Sequence, residues 1–156
     1  MLRIDVRELR NGPVATTGTI QASDPLLVGL DVALSEPLRV SGMLEATGHG
    51  DYYWRGHLEG KIDGTCRRCL GGFAMPLSTD VAAVFTADPD LQDDPAVYPL
   101  PEMASQVDLT GAIREELALS VSAYPLCRED CAGLCPRCGA DLNLGPCECS
   151  VAQPDV

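Results

Sequence analysis

Aromatic residues are scarce in this 156-residue chain, at 4% of the total against 46% hydrophobic residues. Its core must therefore be aliphatic, built from Leu, Val, Ile and Ala. Long apolar runs are missing too. The longest nearly uncharged stretch, residues 26–34, is broken by Gly29 and Asp31, whereas a membrane-spanning helix needs about 20 consecutive apolar residues. The N-terminal residues lack the apolar block of a secretory signal: Leu2, Ile4 and Val6 alternate with Arg3, Asp5 and Arg7, the pattern of a half-buried strand. The expectation is a cytoplasmic protein with no membrane partner, in a compartment that keeps thiols reduced. Basic residues are few: 11 Lys and Arg face 23 Asp and Glu, for a net charge of −12. Free nucleic acid gains nonspecific affinity from cations that displace its counterions, so it is a poor partner for such a surface. A basic protein suits it better. No nucleophile–base pair, phosphate-cradling glycine loop or paired carboxylates stand out, so neither an enzyme nor a small-molecule substrate is expected.

Twelve prolines and fifteen glycines suit many short elements with tight turns. Strands are predicted at 26–34 and 38–46, joined across Ser35-Glu36-Pro37, then at 52–62 and 73–85. His49-Gly50-Asp51 supplies a hairpin turn. Residues 11–19 are rich in Gly and Thr and read ambiguously. Residues 88–101 read as an acidic, proline-rich loop. From residue 76 to 116 there are nine acids and one base, a net of −8. One helix is predicted, capped by Asp108, with Leu109, Ile113, Leu117 and Val121 on one face and Pro125 ending it. Glu115 and Glu116 read as solvated charge, and His57 as a packed or surface histidine. The fold class is α+β: an antiparallel, partly barrel-like sheet, one packed helix and a C-terminal zinc knuckle. Residues 1–126 form the core domain with the first cysteine pair, 127–150 a cysteine-rich metal-binding segment, and 151–156 a tail.

Eight cysteines in a reducing compartment read as metal ligands. They are Cys66 and Cys69, then Cys127, Cys131, Cys135 and Cys138, then Cys147 and Cys149. A C-x-x-C pair bends round one metal with backbone N–H groups directed at sulfur, and a following glycine takes a left-handed turn at no Cβ cost. Cys135-Pro136-Arg137-Cys138-Gly139 has that form. Eight thiolates make two tetrahedral sites, hence two Zn²⁺ ions with four cysteines each. Cys135, Cys138, Cys147 and Cys149 span fifteen residues, a loop that closes at small entropic cost. That leaves Cys66, Cys69, Cys127 and Cys131 for a long-range site across 57 intervening residues. A swap of pairs between the sites stays open, because spacing alone does not fix connectivity. Cys131-x3-Cys135-x2-Cys138 also has the cluster spacing of radical S-adenosylmethionine enzymes, but only 18 residues follow Cys138, too few for their barrel. The two-cluster ferredoxin spacing is absent. A thioredoxin-like dithiol would open a helix after a strand, and neither pair is placed so. Lys61, Arg67 and Arg68 cluster at the first pair. They either offset thiolate charge or form a small RNA contact.

Three stretches resemble the YceD family, the large ribosomal RNA subunit accumulation proteins. They are Gly64-Thr65-Cys66-Arg67-Arg68-Cys69-Leu70, the helix segment Asp108-Leu109-x3-Ile113-Arg114-Glu115-Glu116-Leu117, and the run from Cys127 through Cys131, Gly133, Cys135, Cys138 and Gly139 to Asp141-Leu142-Asn143. The resemblance covers roughly residues 20 to 150. One departure is local: the family has proline soon after the helix face, whereas here Ser122-Ala123-Tyr124 precede Pro125. The resemblance implies a role in 23S rRNA accumulation and large-subunit biogenesis, and no catalytic activity. Its implied partner is a large-subunit ribosomal protein or a pre-50S particle. The acidic segment adds the expectation that a basic ribosomal protein is shielded. A direct rRNA-binding module is the rival reading, and an rRNA-processing enzyme a third.

Overall fold

A two-residue turn organises the largest sheet. His49 (φ 55°) and Gly50 (φ 86°) both take positive φ, the requirement of the tight hairpin turn that matches strand twist. They join β3 (Ala33–Gly48) to β4 (Asp51–Thr65), which so short a link makes antiparallel. This computed structural model describes residues 2–91 and 93–151; the predicted tail lies outside them from residue 152 on. The remaining strands are β1 (Arg3–Asp5), β2 (Val14–Ile20), β5 (Gly72–Thr86), β6 (Val97–Pro99) and β7 (Gln106–Asp108), followed by helix α1 (Thr110–Ser120).

Contacts divide the described chain into two compact units, the first holding residues up to Ile62 with Pro76–Val121, the second holding Asp63–Met75 with the residues from Ser122 onward. The sequence places the first cysteine pair in a contiguous core domain of 1–126. That pair, at the tip of the β4–β5 hairpin, falls in the second unit with the C-terminal cysteines. Among the described residues no helix is long and apolar enough to cross a membrane.

In the first unit the five-stranded sheet runs β2-β3-β4-β5-β6, and β1 pairs with β7 in a separate two-stranded sheet. The order is open, with β2 and β6 as edges, so the barrel-like closure expected from sequence is not formed. The sheet is mixed rather than wholly antiparallel, because β6 lies parallel to β5, Val84 opposite Val97. Alternation holds along β4, where Trp54, Leu58 and Ile62 are buried while Arg55, Glu59 and Lys61 face water. Two glycines make room for the indole. A Cβ at Gly56 would collide with the Trp54 ring, and one at Gly42 would lie 2.7 Å from the Trp54 Nε1. The Trp54 Nε1–H donates to Thr16 Oγ1 at 2.9 Å, so the one buried indole is satisfied.

Three departures from the sequence reading have physical causes. Asp24 Oδ1 accepts the Leu26 N–H and Pro25 opens a 3-10 turn, Pro25–Leu27, so of the strand expected at residues 26–34 only Ala33 and Leu34 are extended, as the start of β3. Strand β3 runs straight through Glu36 and Pro37. Its pairing with β2 ends at Leu38 opposite Ile20, so the N–H that proline lacks interrupts no ladder on that side. The ambiguous Gly/Thr stretch is β2, with Thr16 and Ile20 buried.

Helix α1 buries Ala112, Ile113 and Leu117, and Leu109, just before its first residue, is buried with them. Asp108 Oδ1 accepts the Thr110 N–H at 2.9 Å and closes the entry, as expected. The exit comes earlier than Pro125: the chain turns extended at Val121. Glu115 and Glu116 are not merely solvated. Tyr98 donates to Glu115 at 2.7 Å and Thr79 to Glu116 at 2.7 Å. Burial, with that carboxylate beside it, raises the Tyr98 pKa far above its ordinary value.

Candidate metal centre

Both cysteine pairs fold into the same knuckle. In the first, the Cys66 N–H donates to Gly71 O (2.9 Å), the Leu70 N–H to Cys66 O (2.9 Å), and the Arg68 N–H to Cys66 Sγ (3.4 Å). In the second, the Cys135 N–H donates to Ala140 O (2.8 Å), the Gly139 N–H to Cys135 O (2.9 Å), and the Arg137 N–H to Cys135 Sγ (3.4 Å). The two loops match bond for bond. They differ at the left-handed position, which is Gly139 (φ 74°) in one and Leu70 (φ 59°) in the other. Gly71 and Gly72, which follow the first pair, do not fill that role.

The knuckles gather the eight sulfurs into two groups. Cys66, Cys69, Cys127 and Cys131 form one, and Cys135, Cys138, Cys147 and Cys149 the other, the sulfurs of each group all lying within 4.8 Å of one another. All eight are free thiols. Cys66 Sγ and Cys131 Sγ are 3.7 Å apart, and Cys69 Sγ and Cys127 Sγ 3.8 Å. A disulfide needs about 2.05 Å. A tetrahedron of sulfurs about 2.3 Å from a central zinc has edges of about 3.8 Å. The spacing therefore fits four thiolates around one metal ion, and each group can hold one.

The thiols are electrostatically unequal. Backbone N–H groups of Cys69 and Cys127 aimed at its sulfur lower Cys66 to about 6. Those of Cys138 and Arg137 do the same for Cys135, also to about 6. Burial, with neighbouring thiols around it, raises Cys127 to about 12, and the Cys138 thiol beside it raises Cys149 to about 12. Each group thus contains one thiol whose anion its surroundings favour and one whose anion they oppose; metal binding would have to deprotonate both.

Arg67 and Arg68, read from sequence as charge offsets or RNA contacts, serve as struts. The Arg68 guanidinium donates to Glu129 O (3.1 Å) and Cys131 O (3.0 Å), while its own carbonyl accepts the Leu134 N–H (3.2 Å). Gly133 (φ 74°) lets the chain pass so close, since a Cβ there would lie 3.1 Å from Arg68 O. The Arg67 N–H donates to Pro125 O at 2.9 Å and its guanidinium lies 5.0 Å over the Tyr124 ring, a cation–π contact. Lys61, in the first unit, pairs with Glu36 at 3.2 Å.

Two features escaped the sequence reading. Asn143 Nδ2 donates to Cys131 Sγ at 3.4 Å; its place in the motif was visible, its role was not. His57 Nδ1 meets Asp80 Oδ1 at 2.7 Å while Ser78 Oγ lies 3.3 Å from His57 Nε2. That is the connectivity of a nucleophile, base and orienting acid. It arises across two paired strands, where no local spacing could announce it. The Asp80 side chain is 90% exposed, so water surrounds the carboxylate that a working triad buries.

The chain is similar to several other proteins. A protein of Arabidopsis thaliana, the chloroplastic large ribosomal RNA subunit accumulation protein YCED homolog 1, is 31% identical over 55 residues, 35% of this chain and 17% of that protein. An uncharacterized protein of Mycobacterium tuberculosis (strain H37Rv) is 30% identical over 88 residues, 53% of this chain and 41% of its own length. Another, of Mycobacterium leprae, is 26% identical over 151 residues, 91% of this chain and 68% of its own. The chain thus spans well under half the length of the first two. No solved structure matches it significantly. The family described as large ribosomal RNA subunit accumulation protein YceD matches residues 54–156, a range that begins within β4 and takes in α1 and all eight cysteines. With helix, both knuckles and both sulfur groups inside that match, the chain belongs to the YceD family.

Proposed function

We propose that this chain is a non-enzymatic cytoplasmic factor that supports accumulation of large-subunit rRNA, and with it biogenesis of the large ribosomal subunit. The family match over residues 54–156 carries the reading. In it, two Zn²⁺ ions, one per four-cysteine group, serve structure: four thiolates fill a tetrahedral ion and leave no position for a reactive water. The acidic segment supports a further step, that the protein shields a basic large-subunit ribosomal protein before rRNA takes it over. Deleting the gene should lower the ratio of large-subunit to small-subunit rRNA, and a copy carrying Cys66→Ser and Cys135→Ser should not restore it. An unchanged ratio on deletion would sink the proposal. Metal analysis of the purified protein should give two zinc ions per chain. Capture of the basic partner should weaken with salt and on neutralising Asp88, Asp90, Asp93 and Asp94. Capture indifferent to both would remove the shielding step.

Direct rRNA binding through Arg67 and Arg68 fits less well, because their guanidinium groups already hold the second unit together. Crosslinking to precursor rRNA that is lost in Arg67→Glu/Arg68→Glu with metal retained would reverse that preference. The Ser78–His57–Asp80 chain of hydrogen bonds is what favours an enzyme. Hydrolysis of a simple aryl ester that disappears in Ser78→Ala would establish it; the exposed Asp80 leads us to expect none.

A further inference from the structure

The two sulfur groups are separate in their ligands but not in their supports. Cys138 and Cys147 of the local group bracket the 3-10 turn Leu142–Leu144. Asp141 shapes that turn, its Oδ1 accepting both the Asn143 N–H (2.9 Å) and Asn143 Nδ2–H (2.7 Å). The turn then reaches into the other group. Asn143 Nδ2 donates to Cys131 Sγ at 3.4 Å, and its Oδ1 accepts from the Ala132 N–H (2.8 Å) and the Arg128 guanidinium (2.8 Å). The Leu142 N–H donates to Gly133 O at 2.9 Å. One carboxamide therefore holds a ligand sulfur of the long-range group, and the backbone just after that sulfur, from a loop that the local group closes.

We propose that Asn143 is a positioning residue that couples the two metal sites, so that closing the local site is what holds Cys131 in place for the long-range one. The inference rests on the reading of the cysteine groups as metal sites. A hydrogen bond to a thiolate sulfur spreads its charge and fixes its direction, and loss of such a supporting partner typically weakens metal binding by roughly 10- to 100-fold. Entropy sets the order. The local site closes a loop of fifteen residues, Cys135 to Cys149, and can form first. The long-range site must bring distant segments together, and it gains a preformed edge once the Asp141–Asn143 turn is in place.

The test is pulsed alkylation of the zinc-loaded full chain in the presence of a metal chelator, with each cysteine followed by peptide mass. In Asn143→Ala, Cys66, Cys69, Cys127 and Cys131 should be modified about 10-fold faster than in the wild type, with Cys147 and Cys149 changed less than about twofold. Opening the local site by Cys149→Ser should speed modification of the same four cysteines to a similar degree. Combining it with Asn143→Ala should add little, because both changes remove one link. Unchanged long-range rates in Asn143→Ala, or full additivity in the double variant, would overturn the coupling. A wild-type protein that carries no metal and whose eight thiols react at once would instead defeat the metal reading itself, a different result from either.

Discussion

The two units of this protein are held together by different physics. The first buries Ile20, Leu38, Leu44, Leu58, Leu109, Ile113, Leu117 and other aliphatic side chains around one tryptophan, and needs nothing beyond the ordinary removal of apolar surface from water. In the second, the buried side chains among the described residues are Cys66, Cys131 and Cys135. Of its larger apolar side chains, Leu70 (65%), Tyr124 (75%) and Leu144 (89%) are exposed, while Leu126, Leu134 and Leu142 are only half-buried. A segment this small with no aliphatic core does not pay for its own ordering, and a structural metal supplies the deficit in such cases. With a metal ion in each sulfur group, one chain would divide its stability between burial and coordination.

Metal removal should break the comparison open most widely. Structural zinc contributes about 10–16 kcal/mol in small thiolate sites, so a strong chelator under reducing conditions should abolish amide protection at Cys66, Leu70, Cys135 and Gly139 while the β2–β3 ladder stays protected in hydrogen exchange. Equal loss in both units would show that they are not separately held. The converse change is Leu58→Ala, at a fully buried position of the first unit. It should cost about 2–5 kcal/mol in urea denaturation and leave the zinc content at its wild-type value.

A smaller effect is expected at Asp108. Partial burial pushes its carboxyl up, but hydrogen bonds from Thr110 and the Arg3 guanidinium outweigh that and hold its pKa below the ordinary 3.8. A lowered carboxyl adds stability above its unfolded pKa and loses it as pH falls through the folded value. Asp108→Ala should therefore cost about 1 kcal/mol at neutral pH, chiefly as a lost cap, and the gap to the wild type should shrink in acid denaturation curves. An effect of similar size compares the knuckles with each other. A non-glycine residue in the left-handed region costs about 1–2 kcal/mol, so Gly139→Leu should speed zinc loss from the local site. Leu70→Gly, which relieves that strain, should leave the first site as tight or slightly tighter in chelator competition.

Much of the first unit was legible in the sequence because its signals are local. Alternation marks β4 from Trp54 to Ile62, a turn with glycine at its second position marks the hairpin, and Leu109, Ile113 and Leu117 mark the buried face of α1. What escaped was decided by neighbours. Pro37 looks like a break but sits where β2 has already ended. Thr16 looks like loop chemistry but accepts the hydrogen bond of a buried indole. Strands β6 and β7 are three residues each, too short to show a period. In the candidate site, the two C-x-x-C knuckles follow from spacing, and loop length favours the grouping of sulfurs that the fold forms, although spacing alone leaves a swap of pairs open. The Arg68 strut and the Asn143 bond to Cys131 do not, since each joins residues that sequence separates; the left-handed Leu70 escaped because leucine is not a residue that such a turn favours.

The chain by itself settled that cysteines, two prolines and a few glycines near the C-terminus would form tight thiolate loops, because C-x-x-C geometry and left-handed turns are local properties of the backbone. It also settled which helix face is apolar. Tertiary structure alone decided that the sheet stays open at β2 and β6, that β6 lies parallel to β5, and that one asparagine touches the sulfur of a distant group. Those outcomes depend on which strand edges find partners and which donors reach a sulfur through space, quantities that a linear pattern does not contain.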